Sequence, residues 1–98
     1  MEQILSTLDF VTKGQGFTDI TKDINHWIQN KKLQKGILLI FLKHTSCSLI
    51  INENADYNVL KDLSTYMKAI VPEEGIYPID RSSKKIKYLH SEEGLDDM

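Results

Sequence analysis

Two polar stretches hold the residues of this chain whose types and spacing could do chemistry. HTSCSLIINENAD, residues 44–56, gathers a histidine, hydroxyls, asparagines and acids directly after the most apolar run, and HSEEGLDDM, residues 90–98, closes the chain. In the second stretch His90 stands with Glu92, Glu93, Asp96 and Asp97. Hard divalent cations take carboxylate oxygens, zinc also takes imidazole, and both groups serve as general acids or bases. The spacing lacks the acid ladder and sixth-position glycine of an EF-hand. A solvated acidic tail is the competing reading.

The first stretch also reads in two ways. His44 ends an apolar run, where a rigid element would hold its ring beside solvent. If the chain stays extended, His44, Ser46, Ser48 and Asn52 share one face, because side chains alternate along a strand. If it turns, the polar residues form a hairpin connection in which Thr45 and Ser46 bond their own backbone. Asn54 and Asp56 are explained by capping of the helix that follows, a place where Glu53 is also favoured by the dipole. Asn52 and Glu53 precede the cap and are harder to explain that way, so they remain functional candidates. His26 falls on the polar side of the first helix and reads as a surface residue. Cys47 has neither a CxxC partner nor an adjacent base, and a small apolar role suits it.

The elements that must position these residues follow from periodicity. Residues 2–12 read as a strand, 13–16 (KGQG) as a turn and 17–21 (FTDIT) as a short second strand, with Thr18 or Asp19 able to cap the helix beyond. Ile20, Ile24, Trp27 and Ile28 lie on one face of a helix. Lys31, Lys32 and Lys35 suit the negative end of its dipole, and Gly36 offers a stop. ILLIFL, residues 37–42, has no alternation and reads as a strand buried on both faces, and 48–52 as another strand. From Asp56 a second stripe, Val59, Leu60, Leu63, Met67, Ile70 and Val71, marks a helix closed by Pro72. Residues 73–87 mix Gly, Pro, Ser and charge without period and read as a loop, and YLH at 88–90 as the start of a strand. The order β-β-α-β-β-α with a partial strand describes an α+β domain whose helices cover one face of a mainly antiparallel sheet.

At 98 residues the chain is a single domain, 1–98, and buries roughly 65% of its unfolded surface at best. Hydrophobic residues at 41% and charged residues at 27% argue against disorder. A net charge of -2 with dispersed lysines gives no attraction for nucleic acid or an anionic membrane. The longest apolar run is far below the ~20 residues that span a bilayer. One cysteine and no leader pattern lead to the expectation of a cytoplasmic protein. GxSxG, Walker A and GxGxxG are all missing from the sequence, and KGQG is too short to be a phosphate loop.

The two polar motifs, in order and separated by one amphipathic helix, resemble the YjbQ family, also called UPF0047. Its members carry a related HT-S-A-S-L-T-INENAD stretch and later an H-x-x-EG-x-DDM segment. The resemblance implies an α+β fold with strands in two packed layers and assembly as a trimer. It also implies a secondary thiamine-phosphate synthase activity, which joins a pyrimidine diphosphate to a thiazole phosphate with loss of pyrophosphate. On this likeness His44, Ser46, Asn52, Glu53, Asn54, Asp56, His90, Glu93, Asp96 and Asp97 line one polar site. His44 or His90 would act as general base or metal ligand, while Glu93, Asp96 and Asp97 hold magnesium or zinc against a phosphorylated substrate. Family chains run on past DDM with a P-A-H-I type segment, a helix and strands, so the likeness implies a domain short at its C-terminus. Cys47 stands where alanine is common. The connection before YLH is longer than usual, and its Arg81, Lys84, Lys85 and Lys87 are candidates for phosphate contact. Two other readings use the same residues: a metal- or anion-holding module without turnover, and an inactive shortened member.

Overall fold

Two amphipathic helices organise the protein. In a computed structural model that describes residues 1–77 and 84–89, α1 spans Thr21–Asn30 and α2 spans Val59–Ile70. Along α1 the residues that are half-buried are Ile24, Trp27 and Ile28, with Ile20 at the N-cap, which is the stripe that the sequence predicts. Asp19 secures the start of α1: its Oδ1 accepts the Thr21 N–H at 2.9 Å.

The end of α1 differs from the expected stop at Gly36. Lys31 is the C-cap, and Lys32 turns the chain with φ 54°. Its N–H donates to the Gln29 carbonyl at 3.0 Å, and the Leu33 N–H reaches back to Ile28 at 3.2 Å. Those two bonds make a Schellman termination, which satisfies carbonyls that the helix leaves open. A lysine occupies the left-handed position that usually falls to glycine, at a cost of about 1 kcal/mol.

α2 begins later than its expected start at Asp56. Asn58 is the N-cap and makes no side-chain cap bond. Asp56 closes the turn before it, with Oδ1 accepting the Asn58 N–H at 2.8 Å and the backbone carbonyl accepting Val59 N–H at 3.0 Å. Asp62 in the first turn and Lys68 in the last complement the dipole. Val59, Leu60 and Leu63 are half-buried, whereas Met67, Ile70 and Val71, the far end of the stripe, are exposed.

Past Pro72 the expected loop contains a pairing that its sequence does not announce. Ile76 and Ile86 form an antiparallel bridge, exchanging bonds of 2.9 and 2.7 Å. Gly75 permits it, with φ +111° and so little room that a Cβ would collide with the Ile86 carbonyl oxygen. Lys85 Nζ meets Glu74 Oε2 at 3.0 Å beside this bridge and lies over the Tyr77 ring.

Two of the segments expected as strands, 2–12 and 37–42, alternate in exposure with a period of two. Ile37, Leu39 and Phe41 are 100%, 88% and 80% exposed, whereas Leu38, Ile40 and Leu42 are 47%, 44% and 36% exposed. The same alternation runs through the first segment, where Leu5 and Val11 are open and Ile4, Leu8 and Phe10 are more sheltered. Along ILLIFL one set of side chains is thus partly sheltered and the alternate set open. Burial on both faces requires a layer on each side, and among the described residues no large apolar side chain is fully buried. No helix among them is long and apolar enough to cross a membrane.

Candidate functional site

His44 lies in a turn. Ser46 donates its backbone N–H to His44 Nδ1 at 2.9 Å, so residues 44–46 close on themselves around Thr45 and Ser46. The stretch turns at Thr45 and Ser46, and the imidazole, in place of a hydroxyl, is the local acceptor. The consequence is chemical. An imidazole that accepts at Nδ1 carries its neutral-state proton on Nε2 and presents a donor there. Donation to an anionic oxygen suits this arrangement, and service as a base or metal ligand at Nε2 requires the turn to release Nδ1.

Asn52, Glu53 and Asp56 are near neighbours in sequence, and with Ala55 and Val59 they border a shallow, open surface groove that ends at the first residue of α2. Asn52 Nδ2 donates to the Glu53 carbonyl within the segment. Asp56 stands in the turn that leads into α2, near the end where the helix dipole offers about half a positive charge. Two full negative charges outweigh that, so the groove suits a cation, or an anion that arrives with one. His44 and Ser46 are not among the residues that line it.

Asn54, between Glu53 and Ala55, is absent from the groove lining and serves differently from the expected cap. Its Nδ2 donates to Asp19 Oδ2 at 3.1 Å, a link across 35 positions of sequence. The Thr21 hydroxyl and N–H, followed by the Asn54 amide and the charge of Lys22, hold the Asp19 carboxyl below the usual carboxylate range. Asp19 was legible only as a local cap. Nothing in its spacing signals Asn54.

His90, Glu93, Asp96 and Asp97 lie outside the described residues, as does Arg81. Among the described residues no group of three or more histidines, cysteines or acids could hold a metal ion. Glu53 and Asp56 fit a hard cation in ligand type but supply only two side chains. Cys47 is exposed, in place of the core position expected.

Comparison with known proteins places the chain in a family. A family model described as UPF0047 protein YjbQ-like matches residues 6–98. UPF0047 protein sll1880 of Synechocystis sp. is 38% identical over 91 residues, covering 93% of this chain and 55% of that protein. UPF0047 protein YjbQ of Escherichia coli O157:H7 is 34% identical over 93 residues, covering 94% of this chain and 59% of its own length. UPF0047 protein YugU of Bacillus subtilis is 34% identical over 79 residues, covering 80% and 58%. The chain belongs to the YjbQ-like UPF0047 family. It spans less than two thirds of the length of these relatives. No solved structure matches it.

Proposed function

We propose that the chain carries a YjbQ-type site that acts on a phosphorylated small molecule, with thiamine phosphate synthesis as the reaction. The observation that supports this reading is that Asn52, Glu53 and Asp56 border one open groove at the start of α2. A diphosphate substrate and a pyrophosphate product are polyanions, and a groove with two carboxylates repels them unless a divalent cation intervenes. Glu53 and Asp56 would hold magnesium or zinc there, together with the acids of the second motif, Glu93, Asp96 and Asp97, and that ion would neutralise phosphate oxygens. The Asn52 amide, beside them, is suited to orient the substrate. His44 Nε2–H donates to a phosphate oxygen, and His90 is the second imidazole of the site, with Ser46 closing the turn that orients His44.

The α+β arrangement in two layers, and the homo-oligomer, a trimer as in the family likeness, belong to the same proposal. Support comes from the exposure of Ile37, Leu39 and Phe41 at alternate positions, since large apolar side chains left open together suit a surface that associates. The experiment is a turnover assay of the purified chain with magnesium, a pyrimidine diphosphate and a thiazole phosphate. Thiamine phosphate and pyrophosphate should form in equal amounts, and a His44→Ala/His90→Ala double variant should lose the activity. Full activity in that variant overturns the proposed site.

A further inference from the structure

We propose that Asp19, outside both polar motifs, is a positioning residue that clips the groove-forming segment 52–56 to the start of α1 through Asn54. The carboxylate uses its two oxygens in two directions. Oδ1 accepts the Thr21 N–H at 2.9 Å, which ties the side chain to the first turn of a helix, and Oδ2 accepts Asn54 Nδ2 at 3.1 Å. Asn54 stands between Glu53 and Ala55, both of which line the groove while Asn54 does not. The clip therefore holds the segment at a residue that does not border the groove, between neighbours that do. Apart from the short local bonds of Asn52 and Asp56, it is the one side-chain bond described that ties this segment to a distant element.

The chemistry asks for a carboxylate at 19, because two acceptors must act at once on opposite partners. A serine there would keep an acceptor for the Thr21 N–H and lack the reach to Asn54. An amide has one acceptor, so its NH₂ would face the NH₂ of Asn54. This gives variants that separate the helix cap from the clip. Asp19→Ser removes only the clip, and Asn54→Asp sets two carboxylates against each other. The exchange Asp19→Asn with Asn54→Asp restores one donor and one acceptor in reversed order.

The test records amide spectra of the full chain and needs no turnover, although the clip's purpose rests on the groove proposed above. In Asp19→Ser and in Asn54→Ala the backbone amides of Asn52, Glu53 and Asp56 should shift together, and in the exchange variant they should return toward wild-type positions. Unmoved amides in Asp19→Ser, or no return in the exchange variant, overturn the clip. A magnesium titration followed on the same amides should show affinity weakened about tenfold in Asp19→Ser and recovered in the exchange variant, a difference that corresponds to ~1.4 kcal/mol. Absence of magnesium binding to the wild-type chain overturns the metal-holding groove, while the amide shifts still decide the clip.

Discussion

Replacing Gly75 by alanine isolates the bridge between Ile76 and Ile86. The added methyl would collide with the Ile86 carbonyl oxygen and sit 2.8 Å from the Lys87 Cα, both of them backbone atoms that cannot swing aside. Relief requires the two chains to part, which breaks the bonds of 2.9 and 2.7 Å between Ile76 and Ile86. Each such bond is worth ~1 kcal/mol net, and alanine at φ +111° adds about 1 kcal/mol or more of backbone strain. The sum, roughly 3 kcal/mol, exceeds what a lone bridge can hold, so the response is local opening rather than global unfolding. Hydrogen exchange followed by NMR reads it directly. Amides of Ile76 and Ile86 should exchange about 10- to 100-fold faster in Gly75→Ala, while those inside α1 and α2 keep their rates. Equal protection of Ile76 and Ile86 in both proteins would show that the close approach at Gly75 does not govern the bridge.

Three further outcomes follow from single residues. Lys32→Gly removes the left-handed strain at the end of α1 and should stabilise the chain by about 1 kcal/mol, seen as a higher Tm in a reversible melt. Long-range nitrogen–proton spectra of the His44 ring should show the Nε2–H tautomer at neutral pH, and His44→Asn, whose carbonyl can replace Nδ1 as acceptor, should preserve the slow exchange of the Ser46 amide better than His44→Gln. Asp19 has a carboxyl held below its ordinary value of 3.8, so it binds a proton less readily folded than unfolded. Its contribution is fully present above 3.8 and is lost as pH falls through the lower folded-state value, so acid titration of stability should flatten in Asp19→Ala.

The stripe Ile20, Ile24, Trp27 and Ile28 was legible because a period of 3.6 repeats a burial requirement several times within one helix. Its end was not, because the Schellman turn uses Lys32, a residue type with no preference for φ > 0, and passes over the glycine four positions later. α2 was legible by the same repetition, and its start moved from Asp56 to Val59 because an aspartate can close a turn as readily as cap a helix. A single bridged pair such as Ile76 and Ile86 has no period at all, and Gly75 is its only trace in the sequence. Capping leaves Asn52 and Glu53 unexplained in the sequence, and both are among the residues bordering the groove. Asn54 was explained by capping and instead bonds Asp19, since a contact between residues 35 apart leaves no mark in local spacing. Residues 2–12 and 37–42 alternate in exposure, and the layered strands expected from them belong with the proposal above.

The central claim is that Asn52, Glu53 and Asp56 engage a phosphorylated ligand through a divalent cation. It is tested most directly by titrating the chain with magnesium and then pyrophosphate while following the amides of residues 52–59. The account predicts that pyrophosphate shifts these amides only when magnesium is present, and that Glu53→Gln with Asp56→Asn abolishes the response. Shifts that appear without magnesium and survive that double substitution would contradict it.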